Sequence, residues 1–148
     1  SSAASDVYKR QGVFNVDIAQ PRLTGFVDAS YGSDLRKRRS ITGFAFTHAG
    51  GAISYKSKTQ TLTASSSAEA EFIAAHDAGE TARHSRFALQ ELGFSQEGPT
   101  EIHIDNQAVL QIANDNQCPT IRTGHMDVRW FSLQDWQTEG SISMKKIA

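Results

Sequence analysis

The sequence predicts an α/β domain with one five-stranded mixed sheet, its first three strands antiparallel, flanked by helices. Three observations predict it. Between residues 23 and 57, short apolar runs are separated by a charged segment and a glycine-containing turn. From residue 61 onward the pattern becomes helical, broken by two more strand-like runs. The resulting order is βββ-α-β-α-α-β, a meander followed by strands separated by helices, which implies a mixed sheet with helices packed on it.

Each element has a local reason. Residues 1–20 are polar and aperiodic and are expected to form an N-terminal arm, flexible or foreign to the domain that spans 21–148. Leu23–Ala29 (LTGFVDA) is an apolar strand that closes on Asp28. A charge-dense loop is expected next, carrying Asp34, Arg36, Lys37, Arg38 and Arg39. Ile41–Thr47 is the second strand, and His48-Ala49-Gly50-Gly51 is a hairpin turn. Ala52–Ser57 is the third, with Ile53 and Tyr55 sharing a face.

A Ser/Thr-rich stretch, Thr61–Ser67, leads into a helix over Ala68–Leu92. Ser66 and Glu69 have capping-box spacing, Gly93 supplies the stop, and Gly79 is expected to bend or split the helix. Glu101–Asp105 is the fourth strand, and Asn106–Asn114 a short helix with Val109, Ile112 and Ala113 on its apolar side. Asp115–Thr123 is a loop with Cys118 and Pro119. Met126–Glu139 places Met126, Trp130, Leu133 and Trp136 at helical spacing, Gly140 ends it, and Ser141–Ile147 is the fifth strand.

Composition narrows the function classes. A chain of 148 residues and 16.2 kDa fits one domain. Fifteen Lys and Arg against 16 Asp and Glu give a net charge of −1, which excludes a globally basic nucleic-acid coat but not a local basic patch. The single cysteine excludes an intramolecular disulfide framework and a cysteine zinc site, in keeping with a reducing compartment. No apolar run approaches the roughly 18 residues of a membrane span. There is no Walker or dinucleotide motif and no G-x-S-x-G elbow.

Three carboxylates stand out. Asp28 and Asp105 close apolar strands, and Glu71 lies beyond the capping region of the long helix. Acidic side chains at such places are usually paired or bound to a metal. Strand ends and a helix start can converge at one edge of an open sheet, where α/β proteins place their sites. Such hard oxygen donors suit Mg²⁺ or Mn²⁺, and a two-ion cluster serves phosphodiester hydrolysis. Turn or helix-cap roles compete for Asp28 and Asp105, and the capping box accounts for Glu69.

Six motifs in order carry a family resemblance: GFVDAS (25–30), RRSITGFAF (38–46), GGAISYKSKTQ (50–60), SSSAEAEFIA (65–74), IHIDNQAVLQIA (102–113) and GHMDVRWFSLQDW (124–136). Together they resemble the ribonuclease H domain of copia-type LTR retrotransposon polyproteins, from about Leu23 to Ile147.

The resemblance implies a ribonuclease H-like fold and cleavage of the RNA strand of RNA–DNA hybrids with Mg²⁺ or Mn²⁺, two ions at the site. It implies a reverse transcriptase domain as partner in the parent polyprotein. It also implies an intracellular, cytoplasmic setting such as a retrotransposon particle or replication complex. By the resemblance Asp28, Glu71 and Asp105 are catalytic metal ligands. Asp127 is the remaining candidate for a fourth family carboxylate, which usually follows the fifth strand, so the domain is expected to be cut short at its C-terminus.

Ser67, Asn106, Gln107, Arg38, Arg39 and His125 are candidate substrate contacts, with Lys56 and Lys58 as further phosphate-binding candidates. Trp130 and Trp136 fit the core better than a base-stacking platform, and the histidines show no paired metal-ligand spacing. A non-catalytic or impaired nucleic-acid-binding module of the same fold is the competing function, and a related nuclease acting on DNA is a third.

Overall fold

A computed structural model describes residues 21–34, 36–114 and 124–147. The strands are β1 (Thr24–Asp34), β2 (Arg39–His48), β3 (Gly51–Thr59), β4 (Thr100–Ile104) and β5 (Ile142–Lys146). The helices are α1 (Ser67–Glu91), α2 (Gln107–Asn114) and α3 (Gly124–Thr138). All five strands form one sheet in the order β3-β2-β1-β4-β5. The β1–β2 and β2–β3 pairs are antiparallel, and β4 runs parallel to both β1 and β5. This is the mixed sheet expected from the sequence.

The first meander is tighter than its composition suggests. β1 runs on to Asp34, which pairs with Arg39, so of the expected charged loop only a short turn containing residues 36–38 is described outside the strands. Asp34 Oδ1 accepts hydrogen bonds from the Arg36 and Lys37 amides (3.1 and 3.3 Å), closing the turn. At the other connection, His48 pairs with Gly51 across a two-residue loop whose residues Ala49 and Gly50 both have positive φ (51° and 80°). That is the type I′ geometry that follows the twist of the flanking strands.

Alternation along the strands puts Leu23, Val27, Phe44, Phe46, Ile102, Ile104, Ile142 and Met144 on the buried face. There they join Phe72, Ile73, Ala74, Ala75, Ala78 and Ala82 of α1 and Trp130 and Leu133 of α3. The alanine-rich stripe brings α1 close to the sheet and to α3. Gly79 belongs to that stripe and does not split the helix, which is continuous from Ser67 to Glu91. A Cβ there would lie 3.0 Å from two atoms of the Trp136 ring, so the missing side chain gives α3 its close approach. Trp130 is buried and Trp136 packs against the core, both structural as expected.

α1 ends where the sequence says it should. The Phe94 amide donates to the Leu89 carbonyl (2.7 Å) and the Gly93 amide to Gln90 (3.0 Å), a Schellman closure around Gly93. Its start departs from the expected box. Ser66 Oγ accepts from the Glu69 amide (3.1 Å), but the Glu69 carboxylate reaches back to the amide and hydroxyl of Ser65 rather than to Ser66. Glu69 is buried by that role, as a capping residue should be.

Candidate active site

The parallel β1–β4 pairing determines the site. Val27 pairs with Ile104, so Asp28 and Asp105, each one residue further on, lie side by side where the parallel pairing ends. β4 stops there, but Asp28 does not close its strand as expected, because β1 continues to Asp34 against β2. α1 packs on β1 and β2 with its first turns over that end, bringing in Glu71. The Glu71 carboxyl is raised above its ordinary value of 4.5, chiefly by burial and then by the charges of Asp28 and Asp105. Hydrogen bonding from the Asn106 and Ser67 side chains opposes the rise. Glu71 of α1 therefore lies within electrostatic reach of both aspartates, which come from two different segments.

Competing local roles fall to other residues. Asn106, not Asp105, caps α2: its Oδ1 accepts from the Ala108 and Val109 amides at 2.9 and 3.2 Å. With that oxygen committed, the amide nitrogen of Asn106 is the end free to serve Glu71. Asp28 Oδ1 accepts from the Ala29 amide (2.9 Å), which fixes the carboxylate against its own strand. Neither aspartate forms a salt bridge with a described cation.

The other candidates distribute as follows. Ser67 is exposed at the start of α1, and Gln107 is exposed at the start of α2. Arg38 is exposed in the β1–β2 turn, with a positive φ of 50°, and Arg39 is half-buried in β2. Lys56 and Lys58 lie exposed along β3, the edge strand. His125 and Asp127 fall in the first turn of α3, and their side chains lie outside the described residues. Cys118 and Pro119 also lie outside them.

One grouping was not expected from the sequence. Among the described residues, the side chains whose potential ligand atoms gather within 4.8 Å of one another are His76, Asp77 and Glu80, not the three carboxylates. They begin five residues beyond Glu71, about 7.5 Å further along the helix axis. The legible signal is the four-residue step from His76 to Glu80, which puts both on one helical face.

Solved structures of known proteins share this fold. A halophilic archaeal RNase H1 from Halobacterium salinarum superposes with a TM-score of 0.54 at 21% identity, covering 85% of each chain. LC11-RNase H1, solved in complex with an RNA/DNA hybrid, gives 0.57 at 12% identity, again over 85% of each chain. The Prototype Foamy Virus protease-reverse transcriptase gives 0.57 at 17% identity, covering 86% of this chain and 17% of that one. The fold is the ribonuclease H-like fold.

The sequence places the chain more narrowly. It is 36% identical over 130 residues, 88% of its length, to the Retrovirus-related Pol polyprotein from transposon TNT 1-94 of Nicotiana tabacum. It is also 39% identical over 61 residues to Secreted RxLR effector protein 161 of Plasmopara viticola, covering 41% of this chain. The chain spans 10% of that polyprotein's length and 43% of the effector's. No protein-family model matches the sequence. The chain is a ribonuclease H-like domain related to retrotransposon Pol polyproteins. No helix among the described residues is long and apolar enough to cross a membrane.

Proposed function

We propose that this domain is a metal-dependent endonuclease that hydrolyses the RNA strand of RNA–DNA hybrids, working as part of a retrotransposon polyprotein. The observation that carries the reading is the raised Glu71 carboxyl facing Asp28 and Asp105. Mutual repulsion of this kind is relieved by a cation, and an all-carboxylate donor set suits a hard divalent ion. Asp28, Glu71 and Asp105 would hold Mg²⁺ or Mn²⁺, and two such ions would supply the chemistry that phosphodiester hydrolases use. Bound there, the metal supplies charge neutralisation at the scissile phosphate.

The chain's own residues do the rest. Asn106 and Ser67 hydrogen-bond Glu71 in its charged form and orient it. Exposed Ser67 and Gln107 flank the carboxylates and present the short polar groups needed to read a 2′-hydroxyl, the handle that separates RNA from DNA. Arg38, Arg39, Lys56 and Lys58 supply phosphate contacts that position the duplex without reading its sequence. His125 and Asp127 remain candidates for substrate contact and a fourth carboxylate. Water adds at phosphorus as the bond to the leaving oxygen breaks, leaving a phosphate on one fragment and a hydroxyl on the other.

The complex of LC11-RNase H1 with an RNA/DNA hybrid supports the substrate. The likeness to a protease-reverse transcriptase supports a reverse transcriptase as partner domain. Residues 21–148 form the nuclease unit in this reading, residues 1–20 an arm, and the setting is a cytoplasmic retrotransposon particle.

The test is a gel assay with a hybrid labelled on either strand and Mg²⁺ or Mn²⁺. The expected result is cleavage of the RNA strand alone, lost by at least about a thousandfold in Asp105→Asn with the circular dichroism spectrum unchanged. Equal cleavage by the variant would overturn the assignment. Hybrid binding with no cleavage by the parent chain would make it a non-catalytic module.

A further inference from the structure

Gln60 is the residue just past β3, and only 3% of it is exposed. Its amide hydrogen-bonds the Ser40 carbonyl (2.8 Å), extending the β2–β3 ladder by one step. Its side chain turns inward. Nε2 donates to Thr42 Oγ1 (3.0 Å) on β2 and to the Ala70 carbonyl (2.8 Å) in α1. The Ala70 oxygen can only accept, so the nitrogen end of the amide must face it. Oε1 is left buried with no hydrogen-bond partner among the described residues.

The two anchors adjoin the site. Ala70 immediately precedes Glu71. Thr42 pairs with Ala29, the residue after Asp28, and Gly43 pairs with Asp28 itself. One side-chain amide thus joins the strand beside Asp28 to the helical turn that carries Glu71. A leucine or methionine would fill this volume without stranding a buried amide oxygen, which is unfavourable. A purely space-filling role does not explain glutamine here, whereas a fixed distance between two elements does.

We infer that Gln60 is a positioning residue for Glu71: through the Ala70 carbonyl it sets where the Glu71 carboxylate stands relative to Asp28 and Asp105. The inference rests on the nuclease reading and deepens it. Thr42 anchors the amide from the sheet side, so the two hydrogen bonds have separable effects. The bond to Ala70 governs the site, and the bond to Thr42 governs mainly stability.

Gln60→Leu, Gln60→Glu and Thr42→Val test it, each measured by thermal melting, by calorimetric titration with Mn²⁺, and by kcat and KM on a hybrid. Gln60→Leu is expected to bind Mn²⁺ about tenfold more weakly and to lower kcat by a similar factor, with KM for the hybrid nearly unchanged. Thr42→Val keeps the Ala70 bond and is expected to lower Tm while holding Mn²⁺ affinity within about twofold of the parent. Gln60→Glu, whose buried carboxyl is neutral and still donates one bond, is expected to restore most of the affinity.

Mn²⁺ affinity that falls in step with Tm across the three variants would show a merely structural role and overturn the inference. Parental affinity in a folded Gln60→Leu would do the same. Should Gln60→Leu fail to fold, Gln60→Glu and Thr42→Val decide: a structural role predicts Mn²⁺ affinity that follows Tm in both, whereas the inference predicts affinity that holds in Thr42→Val although its Tm falls. A parent chain that neither binds Mn²⁺ nor cleaves the hybrid removes the nuclease reading and this inference together. A parent that does both, beside a folded Gln60→Leu that is unaffected, removes only the inference.

Discussion

The two ends of the parallel β1–β4 pair treat their polar groups in opposite ways. At the end where β4 begins, polar groups are spent on one another. Arg86 donates to the Gly98 carbonyl (2.6 Å), to Thr100 Oγ1 (3.1 Å) and to the Gln96 carbonyl (3.2 Å). Gln96 Oε1 accepts from the Leu23 amide (2.8 Å), and its Nε2 donates to the Pro21 and Phe94 carbonyls. A single arginine and a single glutamine tie the end of α1, the following loop and the start of β1 together. At the carboxylate end, Asp28, Glu71 and Asp105 face one another with no described cation bridging them. The first end is closed by its own hydrogen bonds. The second keeps an excess of negative charge that a bound cation would offset, which is why the proposed site is placed there.

That contrast can be broken experimentally, beginning with the largest effect on stability. Arg86→Ala removes three hydrogen bonds from a charged donor and should lower the unfolding free energy by about 3 kcal/mol, read as a lower urea midpoint at unchanged slope. An unchanged midpoint would mean that the closed end does not hold the fold. Gly25→Ala attacks the same end through packing. A Cβ there would lie 2.5 Å from Cε1 of the fully buried Phe46 ring, so a loss of about 2 kcal/mol is expected in the same titration.

Glu71→Gln at the open end should act in the opposite sense. The folded Glu71 holds its proton to higher pH than the unfolded chain does, since its carboxyl is raised above 4.5. The resulting penalty is present at neutral pH, shrinks as pH falls through the raised value, and is gone below 4.5, where both states are protonated. In metal-free buffer the variant should therefore melt about 2 °C higher than the parent at pH 7, with the gap closing toward pH 4. A lower melting temperature at pH 7 would show that the Asn106 and Ser67 hydrogen bonds outweigh the repulsion.

Much of the fold is legible in the sequence because its signals are local. Period-two strands, the Ala49-Gly50 turn, the Ser66 cap and the Gly93 stop each depend on a few adjacent residues. The charged stretch after Asp28 misleads for the same reason: its composition suggests a loop, while long-range pairing of Asp34 with Arg39 draws part of it into the sheet. Gly79 misleads likewise, because helical propensity says nothing about Trp136 arriving from α3. At the site, Asp28, Glu71 and Asp105 stand out as acidic residues in apolar surroundings. Gln60 does not, since a glutamine in a polar stretch carries no pattern until the fold buries it.

The sequence by itself determined the element order, the strand and helix periods and the turn chemistry, and it singled out the three candidate carboxylates. These follow from side-chain patterning and backbone preference over a few residues. Only the tertiary structure decided that β4 lies parallel beside β1, so that Asp28 and Asp105 emerge together. It also decided that Asn106 rather than Asp105 caps α2, and that Gln60 links the sheet to the turn carrying Glu71. The Asn106 cap is local, reaching Ala108 and Val109, but the strand pairing and the Gln60 link depend on contacts between segments distant in the chain. Such contacts are chosen by burial and hydrogen-bond satisfaction over the whole domain, and no local pattern encodes them.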